Sequence, residues 1–240
     1  NIPAGSKIGI CGRTGSGKST LTVALYRLVE LCKGPNSTSK GAIYVDGQDT
    51  SKLSLETVRR SLAIIPQDPV LFVGTVRENL DAFGEYDDHA LWEAIDQTEN
   101  LRQTIEGLPN GLSSKVAEGG ENFSVGQRQL VCLARALLRK PSILIMDEAT
   151  ANIDLDTDNL IQKMVRQKLG GCTILTIAHR LHTIMDSDKI LVMDAGKVAE
   201  YDSPAALLAR PESYFSKLVA DTGDASAARL AQIANTHPAA

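Results

Sequence analysis

Aromatic residues make up only 4% of the 240 residues, too few for a base-stacking platform to be the main theme. There is no basic excess. Lys and Arg number 25 against 29 Asp and Glu, a net charge of -4, which excludes broad electrostatic docking on DNA, RNA or an anionic membrane. The four cysteines, Cys11, Cys32, Cys132 and Cys172, lie far apart, with no CxxC pair and no Cys/His cluster. That spacing argues against a structural zinc site. Isolated thiols in apolar runs fit a reducing compartment, where they act as small hydrophobes. No apolar run reaches the roughly 18 residues that span a bilayer. There is no signal-peptide pattern, no repeat of about 20 to 50 residues and no low-complexity stretch. The first residue is Asn1 and not Met, so the expectation is a piece of a longer chain, with any membrane part outside it.

What is present is an ordinary globular composition, 43% hydrophobic and 22% charged, enough for one large domain or two small ones. Ser6 to Cys11 is a short apolar segment running into glycines. Leu21, Ala24, Leu25 and Leu28 then recur at helical spacing and predict a helix reaching Leu31. Gly34 to Lys40 reads as a loop. Ala42 to Val45 reads as a strand closed by Asp46-Gly47, and Ser61 to Ile65 as another, stopped by Pro66. Thr75 to Gly107 is mostly helical, with a break at Gly84 to Asp88, and Leu108 to Gly120 is loop. After Ser124, the residues Leu130, Leu133, Ala134, Leu137 and Leu138 form one apolar stripe, with Arg128, Arg135 and Arg139 off it. Ile143 to Met146 and Cys172 to Ala178 are continuous apolar runs, as strands buried on both faces are. Asp154, Asp156 and Asp158 open a helix, where carboxylates suit the positive end of the dipole. Lys189 to Met193 and Lys197 to Glu200 predict a hairpin turned at Asp194-Ala195-Gly196. Pro204 to Ala220 predicts two short helices. The Ala-rich remainder from Gly223 shows little apolar periodicity and is expected to be frayed. Strands alternating with helices predict an α/β fold with a mainly parallel sheet.

Gly12-Arg13-Thr14-Gly15-Ser16-Gly17-Lys18-Ser19 matches GxxxxGK[ST] between a strand and a helix. The glycines let successive backbone N–H groups turn inward around phosphate oxygens, and the following helix adds its positive end. Lys18 would neutralise the β- and γ-phosphates, and Ser19 would hold Mg²⁺. Kinases, GTPases and ATPases are all open on this motif alone. The strand Ile143 to Met146 ends in Asp147 and Glu148. With a P-loop in the same chain, Asp147 is a candidate for the Mg²⁺ shell and Glu148 for activating a water; without one, a solvated pair at a strand end is the commoner reading. Phe123-Ser124-Val125-Gly126-Gln127, taken alone, is an ordinary capped helix start.

The P-loop, the FSVGQRQ segment at 123–129, the ILIMDE strand at 143–148 and Ala178-His179-Arg180 together resemble the nucleotide-binding domain of ABC transporters, from about Asn1 to Asp221. IIPQDPVLF at 64–72, GTVRENL at 74–80 and ENFSVGQRQL at 121–130 resemble subfamily C, specifically a second nucleotide-binding domain of the multidrug resistance-associated type. The resemblance implies a P-loop NTPase (RecA-like) core over residues 1–222 with an inserted helical subdomain over about 68–139 and a tail over 223–240. It implies that Thr20 joins the P-loop set. Gln67 falls at the Q-loop, as a Mg²⁺ ligand and sensor of the γ-phosphate. Ser124, Gly126 and Gln127 fall at the signature, which binds the γ-phosphate held by an opposite domain. Asp154 falls at the D-loop, and His179 at the switch position bridging the γ-phosphate to Glu148.

Two departures stand out. Phe123 and Val125 replace the first and third residues of the common LSGGQ. Val125 adds a branched side chain where glycine lets backbone approach phosphate, which implies one competent and one degenerate site in the assembled pair. The family's adenine-stacking aromatic lies upstream of the P-loop, before this chain begins; Tyr26 and Tyr44 both come after it. Loss of one stack costs on the order of 1–3 kcal/mol, so the isolated chain is expected to bind nucleotide weakly.

The function implied is ATP binding and hydrolysis, with Mg²⁺, on the cytosolic face of a membrane, coupled to transport of organic anions, conjugates or drugs. The partners implied are a second nucleotide-binding domain and transmembrane domains, with the isolated chain monomeric and nearly inactive. A regulatory module gating a channel or receptor of the same subfamily is the alternative. A soluble DNA-repair or ribosomal ATPase fits poorly, because the interval between P-loop and signature holds no sustained heptads and the chain is acidic.

Overall fold

The computed structural model describes residues 1–32, 41–147, 155–178 and 180–236, with backbone only for 155–159. The described chain packs as two compact units. One holds Asn1–Leu62 and the segment from Thr173 onward; the other holds Ala63–Cys172.

The first unit opens with β1 (Lys7–Cys11), the P-loop and α1 (Lys18–Leu25). The helix stops earlier than its apolar repeat predicts: Leu28 is 64% exposed. Arg27 adopts a left-handed backbone, φ 48°, and its guanidinium donates to the carbonyls of Thr50 and Leu53 at 2.8 Å each. These long-range bonds turn the chain out of the helix, so residues 28–31 carry no helical stripe. The strands β2 (Tyr44–Val45) and β3 (Gln48–Asp49) form the hairpin expected at Asp46-Gly47, both turn residues having positive φ, as a two-residue turn of this hand requires. The helix α2 (Leu55–Arg60), capped by Ser54, leads into β4 (Leu62–Ile65).

The second unit continues from β4 to β5 (Gly74–Thr75) and the helices α3 (Val76–Leu80), α4 (Asp88–Asp96) and α5 (Leu101–Glu106). The predicted loop at 108–120 contains β6 (Lys115–Val116), which pairs antiparallel with β5. The longest helix, α6 (Val125–Arg139), follows. Its predicted stripe is buried, and so are Val131, Cys132 and Ala136, because α3, α4, α5 and α7 (Leu155–Lys168) pack around it. The strand β7 (Ile143–Asp147) neighbours β4. Description resumes at Leu155 in α7, and Asp154 lies outside the described residues.

The first unit is completed by β8 (Thr173–Ile177), β9 (Lys189–Asp194), β10 (Lys197–Asp202), α8 (Pro204–Leu208), α9 (Tyr214–Ala220) and α10 (Asp224–Thr236). Its strands lie in the order β10-β9-β1-β8. The pairs β1–β8 and β1–β9 are parallel, with Ile10 opposite Ile177 and Leu191, and β10 is antiparallel to β9. Thus β1 is central and aims its carboxyl end, where the P-loop begins, beside the ends of two neighbours. That is where α/β sheets bind ligands.

The expectation of fraying after Gly223 is wrong. Residues 224–236 form α10, and its Leu230 and Ala234 are buried. Small alanines give little hydrophobic contrast, so periodicity is faint, yet they permit close packing on α8 and α9.

Candidate functional site

The P-loop of the first unit is a cradle made by backbone. Gly12, Gly15 and Gly17 have φ of 149°, 81° and 104°, conformations that side-chain-bearing residues rarely adopt. At Gly12 a side chain is also excluded by space, since an added Cβ would stand 2.2 Å from the Met193 carbonyl oxygen. Gly17 occupies the N-cap of α1, with no side-chain cap and no acidic residue in the first turn. The Leu21 N–H bonds back to the Gly17 carbonyl, which leaves the N–H groups of Lys18, Ser19 and Thr20 as helix-end donors. A cavity of about 210 Å³ is lined by Thr14, Gly15, Gly17, Lys18, Ser19 and Thr20. It is smaller than the roughly 300–1,000 Å³ of pockets that bury a whole small molecule. It suits phosphate groups.

Lys18 is only 7% exposed. Its ammonium donates to the carbonyls of Gly12 at 2.9 Å and Arg13 at 3.2 Å, and among the described residues no carboxylate forms an ion pair with it. A cation held by neutral dipoles beside free helix N–H groups has the donor set for a polyanion. The buried Ser16 Oγ, which has no hydrogen-bond partner among the described residues, adds a further polar atom to the same loop. Arg13, Thr14, Gly15, Ser19 and Thr20 face solvent, as ligand-facing positions must. The residues therefore fit a magnesium-bound triphosphate, which would meet Lys18 and the N–H row. At the base of the cradle, burial pushes the Cys11 thiol up to about 12, although the nearby Lys18 opposes the shift.

Sequence reading missed the brace behind the cradle. The Gly196 N–H donates to the Ser16 carbonyl at 2.9 Å, so the β9–β10 turn holds the P-loop from outside. The available signal was the Asp194-Ala195-Gly196 turn, read only as a hairpin.

In the second unit, Ser124 caps α6. Its Oγ accepts from the Gln127 N–H at 3.2 Å, and the Gln127 Oε1 accepts from the Ser124 N–H at 2.9 Å. This is a reciprocal capping box. Val125 and Gly126 form the first helical positions of α6. Gln67 is exposed in the segment after β4, and Asp147 ends β7. The backbone at Gln67 is held by Gln129, whose Nε2 donates to the Pro66 and Gln67 carbonyls at 3.0 and 3.3 Å. Gln129 is 1% exposed. A glutamine beside the apolar stripe of α6 was the sequence signal for it. The structure thus brings together residues 12–20 in one unit and Ser124, Gly126 and Gln127 in the other, while Glu148, Asp154 and His179 lie outside the described residues.

Past Gln67 in sequence the second unit exposes the apolar side chains of Val70, Phe72, Val73 and Phe83, with Phe72 65% exposed. The backbone at Phe72 is held in place. The Asn79 side chain accepts from the Phe72 N–H and donates to the Phe72 carbonyl, each at 2.8 Å. Arg135 in turn donates to the Asn79 Oδ1 at 2.9 Å and to its carbonyl at 2.5 Å. Burial pulls the Arg135 guanidinium below its ordinary range.

The family described as "ABC transporter" matches residues 1–151. The chain is 55% identical to "ABC transporter C family member 12" of Dictyostelium discoideum and 53% identical to human "ATP-binding cassette sub-family C member 4", in both over 97% of this chain and 17% of the relative. It thus spans about a sixth of the length of these relatives. Among solved structures, the "Structure of a bacterial Atm1-family ABC exporter with ATP bound" shares its fold with a TM-score of 0.81 and 34% identity, over 93% of this chain and 38% of the other. The parallel strands around β1, the P-loop at its carboxyl end and these likenesses agree: the chain belongs to the ABC transporter family, and its relatives named here are members of subfamily C.

Proposed function

We propose that this chain binds and hydrolyses ATP as the second nucleotide-binding domain of a subfamily C exporter, driving transmembrane transport of organic anions, conjugates or drugs. The observation that carries the reading is Lys18, a buried cation bonded, among the described residues, to the carbonyls of Gly12 and Arg13 at the start of α1, where helix N–H groups point outward. Such a site is complementary to phosphoryl oxygens, and catalysis there is positioning and electrostatics.

In this reading Gly12 to Thr20 grip the phosphates and Lys18 neutralises the β- and γ-oxygens. Ser19, Gln67 and Asp147 would hold Mg²⁺, whose charge, when bound, would offset that of the phosphates. Glu148 accepts the proton of the attacking water, and His179 bridges the γ-phosphate to Glu148. Ser124, Gly126, Gln127 and Asp154 serve a nucleotide held by a second nucleotide-binding domain, and Val125 makes that shared site the slower one. The apolar surface at Val70, Phe72, Val73 and Phe83 is assigned to the transmembrane partner. A patch of this kind marks a protein contact, and in this reading the domain works at the cytosolic face of a membrane. Alone, the chain is monomeric and nearly inactive, since half of each site comes from the partner.

The test is steady-state ATPase of the intact protein with Glu148→Gln, beside MgATP titration of Lys18→Ala. Loss of turnover in the first and of binding in the second supports the reading. Unchanged turnover in Glu148→Gln rejects the motor in favour of a regulatory module, and unchanged binding in Lys18→Ala rejects the site.

A further inference from the structure

Met193 faces the phosphate loop at both of its ends. Strand register puts it there. In the parallel pair β1–β9, Cys11 lies opposite Val192, so the next residues, Gly12 and Met193, stand side by side. From the other flank, Val198 of β10 lies opposite Met193. The side chain is buried, 8% exposed.

Its main chain and side chain serve different ends of the loop. At the entry, the space for a Cβ on Gly12 is taken by the Met193 carbonyl oxygen. At the exit, a Cβ added to Gly17 would stand 3.4 Å from the Met193 Cε and 3.4 Å from the Gly196 Cα. The thioether methyl thus lies behind the N-cap of α1. Gly17 directly precedes Lys18, Ser19 and Thr20 and lines the phosphate cavity with them, whereas Met193 does not line it. Close-packed groups pass a displacement on to their neighbours, so the methyl sets how far inward the first turn of α1 can settle. That depth decides where the N–H groups of residues 18–20 aim. All of these residues belong to one unit of the chain.

We propose that Met193 is a positioning residue for phosphate binding: its side chain, pressed behind Gly17, aligns the helix-end N–H groups of Lys18, Ser19 and Thr20 with the phosphate oxygens. The inference rests on the ATP-binding reading above. Met193 acts only through the backbone at Gly12 and Gly17. Those N–H groups meet the phosphates of bound ATP and of its transition state alike, so misaligning them raises KM and leaves kcat in place.

The experiment uses the intact protein with Met193→Ala, measuring MgATP affinity, KM and kcat for ATP, and thermal unfolding. The expected result is a fall in affinity on the order of tenfold, with KM rising in step, as loss of roughly one net hydrogen bond to the phosphates gives. The kcat at saturating MgATP changes less than about twofold. Met193→Leu refills the volume and recovers affinity to within about threefold of the parent. Val198→Thr, at a position of the same hairpin that is 58% exposed, binds and turns over as the parent does. Unchanged affinity in folded Met193→Ala overturns the proposal whatever the Tm, because Met193 would then only fill space. So does a fall in kcat with affinity retained, or a Met193→Leu variant that binds no better than Met193→Ala. If Met193→Ala does not fold, Met193→Val is judged by the same split between affinity and kcat. Lys18→Ala, run alongside, separates the two levels. If it binds MgATP like the parent, the ATP-binding reading fails; if it loses binding while the Met193 variants bind normally, only this inference fails.

Discussion

Met193 dictates what residue 12 can be. Its carbonyl oxygen lies 2.2 Å from where a Cβ on Gly12 would sit, and Gly12 has φ 149°. Gly12→Ala is both strained and overpacked, so it is expected to destabilise the chain by about 1–3 kcal/mol, read as a lowered Tm. It should also abolish saturable MgATP binding in calorimetry. Gly15→Ala meets no neighbour within 4 Å and carries only the backbone strain of its positive φ, so it should unfold at a higher temperature than Gly12→Ala.

Ser124→Ala removes one half of the capping box on α6. The expected loss is about 1 kcal/mol, measured as a lower urea midpoint with an unchanged slope. Ser124→Asp keeps an acceptor for the Gln127 N–H, so it should recover most of that stability.

The thiols divide into two groups. Cys32 is exposed, whereas Cys11, Cys132 and Cys172 are buried, and burial raises all three buried thiols, Cys11 to about 12. The thiolate is the reactive form. Native protein at about pH 8 is therefore expected to take up one alkyl group quickly and the other three only when unfolded, as read by intact mass. The sign for stability follows. A raised native pKa favours the neutral thiol, so the contribution of Cys11 is complete below its ordinary value of 9.0 and is lost as pH rises toward about 12. Cys11→Ala should flatten that alkaline loss.

Asn79 and Phe72 should part company. Asn79→Ala strips the Phe72 backbone and Arg135 of buried partners, for an expected loss of about 2–3 kcal/mol. Phe72→Ala removes an exposed ring whose only described polar neighbour is the Arg135 guanidinium, 5.9 Å away, and should cost under about 1 kcal/mol. In the intact protein the Phe72 variant is nonetheless expected to lose transport while keeping nucleotide binding, assayed in inside-out vesicles.

The P-loop and the start of α6 were legible because each is a local device. Glycine at fixed spacing sets the first, and Ser124 three residues before Gln127 sets the second, with no distant residue required. The buried strands β1, β7 and β8 were legible for the same reason, as continuous apolar runs. The early end of α1 was not, since it depends on Arg27 reaching carbonyls at 50 and 53. The helix α10 was not, since an alanine-rich stripe declares itself only against α8 and α9. The support of the Gln67 backbone by Gln129 spans 62 positions, beyond any window of local pattern. Glu148, Asp154 and His179 were assigned through resemblance and lie outside the described residues.

The bond from Gly196 to Ser16 has a thermodynamic meaning. A loop already shaped by a neighbouring hairpin has given up its freedom during folding, so anion capture need not order it again. What capture still requires is stripping water from the ammonium of Lys18 and from the incoming charges, and the turn at 195–196 thereby sets how rigid a mould the phosphate chain encounters.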